Sequence, residues 1–127
     1  MKREIKFRAW DNEDYMSPPF TIQDIQKGNI QMTSDLPVMQ FTGLTDKNGK
    51  EIYEGDILKV YKPNTWLKFD DFHVVKYHET QAKFAYWCVR IRDWTTSNTG
   101  LFNIGENQHG RWCEVIGNIY ENPNLLK

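Results

Sequence analysis

Cysteine is scarce in this chain: only Cys88 and Cys113 occur among 127 residues. That is too few for a small secreted domain stapled by disulfides, and it fits two buried thiols in a reducing compartment. Long hydrophobic runs are missing as well, since no window approaches the ~18 apolar residues of a membrane span. The opening Met1-Lys-Arg-Glu-Ile-Lys-Phe-Arg8 has basic residues but neither the apolar stretch nor the small-residue cleavage site of a signal peptide. A soluble cytoplasmic protein with no membrane partner is the expectation. Charge of one sign is absent too: 17 acidic residues stand against 16 basic ones. No global field therefore draws the chain to nucleic acid or anionic lipid. Internal repeats and low-complexity tracts are also lacking, so residues 1–127 read as one domain.

The usual chemical motifs are missing. Ser17, Ser34 and Ser97 lie in no strand-to-helix elbow that would present a nucleophile to a base. His73, His78, His109, Cys88 and Cys113 are the soft metal donors, yet no pair has Cys-x-x-Cys or His-x-x-x-His spacing. His109 and Cys113 stand four apart in a segment that reads as a loop running into a strand. Asp46-x-Asn48-Gly49 resembles the start of a calcium loop only superficially, because the later glycine and bidentate acid fall in the wrong places. Glycines sit singly at turns, so no phosphate-cradling loop or dinucleotide fingerprint exists. The expectation is a non-enzymatic protein with no cofactor, no metal and no catalytic residue.

Aromatic residues are what the chain has in plenty, with five Trp, six Tyr and seven Phe. Flat rings suit pleated, half-buried surfaces, and apolar residues alternate with period two in several segments. The first strand should place Ile5, Phe7 and Ala9 on one face and Lys6, Arg8 and Trp10 on the other, ending at Asp11-Asn12. Residues 13–37 are less regular, with short strands expected around Phe20–Ile22 and Asn29–Met32. There Gln23–Lys27 fits a helical turn and Gly28-Asn29 fits a hairpin turn equally well.

From Met39 to Leu58 the pattern is sharper. Gln40-Phe41-Thr42 makes a strand, and Asp46-Lys47-Asn48-Gly49 supplies the positive backbone angles of a tight turn. Gly55 allows a sharp change of direction before the strand Ile57–Tyr61. Glu51, Glu54 and Asp56 read as solvated side chains on that corner. Further strands are expected over Phe72–Glu79, Lys83–Trp94 and Trp112–Tyr120. A polar turn, a Gly-Asp corner and a long apolar strand begin many SH3-like barrels. The fold expected is thus mainly β, with a β-rich segment over 1–38 and a small SH3-like barrel over 39–127.

The strand Lys83–Trp94 is the natural place for a working surface. Ala85, Trp87, Val89 and Ile91 make one face, leaving Phe84, Tyr86, Cys88, Arg90, Arg92 and Trp94 on the other. Lys6, Arg8 and Trp10 repeat that mixture of cations and rings. Tyr86, Arg90, Arg92 and Trp94, with Lys6, Arg8 and Trp10, are therefore the candidate interaction surface. Rings and guanidinium groups suit single-stranded nucleic acid, but they are also enriched in protein interfaces. With no electrostatic help from the net charge, a protein partner or self-association is the preferred reading and nucleic acid the second.

Three blocks, Arg3–Asp11, Met39–Ile57 and Glu114–Pro123 followed by Leu125-Leu126, resemble the YopX family of phage and prophage proteins. The resemblance implies a mainly β protein with an SH3-like barrel in its larger C-terminal part, encoded by a phage or integrated prophage. It transfers no biochemical role and no catalytic residue; the barrel signal, the abundant aromatics and the missing catalytic set lead to the expectation of a non-enzymatic accessory protein with an unidentified host or phage protein as partner.

Overall fold

Asp11 ends the first strand by turning its carboxylate onto the backbone. Its Oδ1 accepts the N–H groups of Glu13, Asp14 and Tyr15 at 2.8–3.0 Å, and Asn12 takes a left-handed φ of 70°. The strand itself, β1 (Phe7–Ala9), is short. Its outer edge is closed by the returning chain: Phe7 and Phe20 exchange backbone hydrogen bonds of 2.8 Å, and Ser17 N–H donates to Ala9 C=O. The open choice after Phe20 resolves to a helix, α1 (Ile22–Gln26), because Thr21 and Asp24 form a complete capping box. Ile22 is thus helical, and Phe20 contributes a single bridge where a strand was expected.

The computed structural model describes residues 4–29, 36–60, 72–78, 83–88, 93–94 and 113–126, without the side chains of 60, 78, 83, 85–88, 93 and 94. The second expected strand of the N-terminal segment, Asn29–Met32, lies almost wholly outside these residues. The remaining strands are β2 (Val38–Thr45), β3 (Glu51–Tyr53), β4 (Asp56–Val60), β5 (Phe72–His78), β6 (Lys83–Cys88), β7 (Asp93–Trp94) and β8 (Cys113–Asn118), followed by a 3-10 turn over Pro123–Leu126. They form two antiparallel sheets, of order β1-β2-β3 and β7-β6-β5-β4-β8. The N-terminal segment thus contributes a strand, β1, to the sheet that holds β2 and β3.

Two glycine-dependent turns shape this arrangement. Asp46–Gly49 reverses the chain between β2 and β3, with Gly49 at φ 82°. Gly55, at φ 86°, makes the corner between β3 and β4, so one continuous run of chain passes from the first sheet to the second. Gly55 also ties three elements together, its N–H donating to Val75 C=O and its C=O accepting from Ile119, both at 2.9 Å.

No barrel closes among the described residues, which corrects the expected SH3-like closure over 39–127. Closure would require a strand at the edge of β8 facing away from β4. There the turn after β2 is seated instead: Lys47 N–H donates to Cys113 C=O at 3.0 Å, and Val115 N–H donates to Asp46 Oδ2 at 2.9 Å. A carboxylate and a single peptide group occupy the edge that a neighbouring strand would have used.

The core lies against β4, β5 and β8, with Ile52, Leu58, Val75, Cys113 and Val115 packed together and Leu44 and Phe84 against them. Consecutive residues on β4, Ile57 and Leu58, are both fully buried, and Val74 and Val75 on β5 nearly so. Since neighbours in a strand point to opposite faces, the centre of the five-stranded sheet is covered on both sides.

Candidate functional site

Lys6, Arg8 and Trp10 share one face of the first sheet, as their alternation requires, but that face points inward. The Arg8 guanidinium pairs with Oδ1 of Asp56 and lies 4.6 Å from the centre of the Tyr53 ring. Asp56 is 1% exposed and its Oδ2 accepts Tyr53 N–H at 2.7 Å. The corner acid assigned to solvent is therefore buried, and it accepts one local donor and one donor from the far N-terminal strand. Lys6 pairs with Glu51 and, at 3.2 Å, with Glu4, while its ammonium sits 4.8 Å from the centre of the Phe41 ring. Tyr53 Oη donates to Glu51 Oε1 at 3.1 Å. Trp10 is buried and stacks on Tyr120, with ring centroids 6.0 Å apart. These three members of the candidate surface are thus engaged within the fold, each bridging different segments of the chain.

The electrostatics follow from burial. Withdrawal from water pushes the Asp56 carboxyl above its ordinary value, opposed by the Arg8 charge and the Tyr53 N–H. Glu51 holds the Lys6 ammonium above its ordinary value, with Glu4 assisting against desolvation. Burial, and then the hydrogen bond to Glu51, pushes the Tyr53 phenol well above its ordinary value of about 10. For both Lys6 and Tyr53 the folded state keeps a proton that the unfolded chain has given up. Their contribution to stability is complete below pH ~10 and declines as pH rises through the alkaline range. Denaturation followed from pH 8 to 11 should therefore show a falling unfolding free energy. Tyr53→Phe should flatten that fall, and an unchanged slope in the variant would refute the assignment.

One buried donor in this network lacks a partner: Arg8 Nε has no acceptor within hydrogen-bond reach. The guanidinium is thus held at its outer end, by Asp56 and the Tyr53 ring, with its inner N–H unsatisfied. That geometry stabilises a strand junction and leaves Arg8 with no free fork for a phosphate.

The second half of the candidate surface is divided by a chain reversal. The expected single strand Lys83–Trp94 is two, β6 and β7, paired antiparallel with Trp87 opposite Trp94 and Cys88 opposite Asp93. Because directly opposed residues share a face, the reversal places Trp94 in register with Trp87 and out of the Tyr86 row. Tyr86 stands opposite Val75, which is fully buried, and Phe84 on the same face packs against the core. Arg90 and Arg92 lie outside the described residues. Of the candidate surface, Lys6, Arg8 and Trp10 are the members with described side chains, and these three are engaged within the fold.

A different surface emerges that the aromatic and arginine pattern did not indicate. Among the residues with described side chains six large hydrophobic ones are exposed, and five of them, Ile5, Tyr15, Ile22, Ile25 and Val38, fall within residues 5–38. Ile22 and Ile25 stand on the five-residue helix α1, which buries no residue at all. The signal in the sequence was the run Phe20-Thr-Ile-Gln-Asp-Ile25, whose apolar residues suit a packed segment while the helix they form packs only lightly. Among residues with described side chains, no three His, Cys, Asp or Glu groups gather as metal ligands, and no helix is long and apolar enough to cross a membrane.

Comparison with known proteins gives one family model and a similar solved structure. The family model described as YopX protein matches residues 18–127. The crystal structure of protein EF1440 from Enterococcus faecalis is similar over 99% of this chain and 100% of that one, with 29% sequence identity and a TM-score of 0.60. The search of curated proteins returns no match.

Proposed function

The chain belongs to the YopX family, and from that membership we propose that it is a phage or prophage accessory protein that works without catalysis. It acts as a protein-interaction module in the cytoplasm of the bacterial host, binding a host or phage protein or a second copy of itself. The observation that carries this reading is the group of exposed apolar side chains that residues 5–38 present among the described residues, next to a sheet whose Lys6 and Arg8 are already paired. In the same reading, the meander from β4 to β8, joined through the Gly55 corner to β2 and β3, is an opened relative of the SH3-like barrel.

The deciding experiment compares the wild-type protein with Ile22→Asp/Ile25→Asp, two exposed positions where a charge leaves the core untouched. Sedimentation across a range of concentrations and affinity capture from host lysate should reveal self-association, or a specific protein retained, that the double variant loses. Strictly monomeric behaviour together with identical capture by both proteins would overturn the proposal. A module for single-stranded nucleic acid built on Lys6, Arg8, Tyr86, Arg90, Arg92 and Trp94 is less favoured, since Lys6 and Arg8 hold Glu51 and Asp56. Tryptophan quenching by a short DNA strand at low salt, weakening steeply as salt is added, would reverse that preference.

A further inference from the structure

Asn48 is the one asparagine of the chain followed by glycine, and every other asparagine precedes a residue that bears a side chain. Asn48 and Gly49 are both exposed in the turn between β2 and β3. No atom beyond its chain neighbours lies within 4 Å of where a Cβ on Gly49 would stand. The Gly49 nitrogen can therefore approach the neighbouring side-chain amide without steric hindrance. The asparagines near the C-terminal end contrast with this. Asn122 precedes Pro123, whose nitrogen has no proton to lose. Asn118 is buried, with its Oδ1 accepting the N–H groups of Tyr120 and Glu121.

We propose that Asn48-Gly49 is a site of self-modification, where the chain slowly converts an amide into a carboxylate and so releases the edge of β8. The deprotonated Gly49 nitrogen attacks Asn48 Cγ. The N–Cγ bond forms, the Cγ–Nδ2 bond breaks, and the side-chain amide departs as ammonia. Water then opens the five-membered succinimide at either carbonyl, leaving aspartate or isoaspartate. One water is consumed and one ammonia released, with no oxidant or reductant. The fold sets the pace of this step. Gly49 N–H donates to Asp46 C=O at 3.0 Å, which engages the attacking nitrogen while the turn is closed. Asp46 Oδ1 clamps the same turn by accepting Asn48 N–H at 2.8 Å and Lys50 N–H at 2.9 Å, one on each side of the reacting peptide. Ring closure thus proceeds through local opening of a turn that one buried carboxylate holds shut. Isoaspartate cannot restore that clamp, because it routes the main chain through its Cβ and lengthens the path between the two donors. Either product also sets a new negative charge near Asp46. Asp46 Oδ2 and Lys47 N–H hold Val115 and Cys113 at the β8 edge, so displacing the turn uncovers that edge.

Incubation of the full chain at pH 8, followed by mass spectrometry of the chymotryptic peptide that carries Asn48, tests the site. The mass gain of amide-to-acid conversion should appear at Asn48 before any other asparagine, and enzymatic methylation should detect isoaspartate in the same peptide. Conversion should vanish in Asn48→Gln, whose longer side chain would have to close a less favourable six-membered ring. It should run about tenfold faster or more in Asp46→Ala, where two charge-assisted hydrogen bonds no longer oppose opening of the turn. Asp46→Asn, which keeps one side-chain acceptor, should fall between that variant and the wild type, and it keeps the test decisive should Asp46→Ala not fold. Converted wild-type protein, separated by its added charge, should exchange the Val115 amide faster than unconverted protein. Earlier conversion at another asparagine, absence of isoaspartate from the Asn48 peptide, or equal rates in the wild type and a folded Asp46 variant would each overturn the proposal. Unchanged Val115 exchange after conversion would overturn the release of β8.

Discussion

Replacing Arg8 by methionine is expected to lower the free energy of unfolding by about 3–5 kcal/mol, the range for removing one side of a buried ion pair. Asp56 is almost fully enclosed, and the guanidinium is its counter-charge. Without Arg8 the carboxylate must stay charged in a low-dielectric site or take up a proton, and both cost stability at neutral pH. Arg8→Met also removes the cation from the Tyr53 ring, a contact of ~0.5–2 kcal/mol that does not add simply to the ion pair. Asp56→Asn is the informative companion, because its side-chain oxygen still accepts Tyr53 N–H while the charge is gone. The double variant should lie within about 2 kcal/mol of the wild type, since replacing both members of a buried pair is often neutral.

The pH dependence follows from the raised Asp56 carboxyl. A folded carboxyl above its unfolded value is most favourable when protonated, so the deficit of Arg8→Met should shrink as pH falls toward 4 and widen above it. Urea unfolding at pH 7 and pH 4.5 measures both effects, provided the m-values agree. A deficit under 1 kcal/mol at pH 7 would show that the pair behaves as a solvated one.

Asp46→Ala should cost about 3–4 kcal/mol by the same measurement. Asp46 is 2% exposed and accepts three backbone N–H groups: Asn48 at 2.8 Å, Lys50 at 2.9 Å and Val115 at 2.9 Å. Val115 is the costly one, because its amide is buried and left without an acceptor, a penalty of ~1–3 kcal/mol. Charge-assisted bonds to Asn48 and Lys50 supply the remainder, reduced by the water that reaches their exposed turn. Asp46→Asn should recover less than half of the loss. Its single oxygen can serve the turn or β8, and the amide N–H₂ then faces the other donor. Lys47→Ala is the control, since the 3.4 Å pair between Lys47 and Glu114 is partly exposed and worth ~0–1 kcal/mol. Faster hydrogen exchange at the Val115 amide in Asp46→Ala, without a matching change in β5, would locate the loss at the β8 edge.

Much of the local structure was legible because it depends on neighbours in the sequence. The alternation of Lys6, Arg8 and Trp10 against Phe7 and Ala9 gave the strand and its faces. Asp46–Gly49 gave the turn, and Gly55 gave the corner. What the sequence could not display was which face is covered. Period-two alternation distinguishes two faces, but on β4 and β5 both are buried, so Phe84, on the face read as a working surface, turns out to rest against the core. The partners of Arg8 and Asp46 are hidden for a related reason. Asp56 and Val115 lie 48 and 69 positions further along the chain, and only tertiary folding brings them near. The hairpin between Cys88 and Asp93 escaped notice because an uninterrupted apolar alternation from 83 to 94 carries no turn residue to mark it.

β4 takes its two hydrogen-bonded neighbours from very different stretches of the chain, β5 shortly after it and β8 near the described C-terminal end. As a ribosome delivers the chain, β4 and β5 can pair early, but the other side of β4 stays bare until residues 113–118 have emerged. During that interval the fully apolar Ile57-Leu58 pair and an unpaired strand edge are presented together, the combination on which nascent chains adhere to one another. Arrival of β8 covers the edge, and Asp46 then covers the edge of β8. Completion of this fold therefore waits for residues 113–118, governed by a long-range pairing that loop closure makes slow.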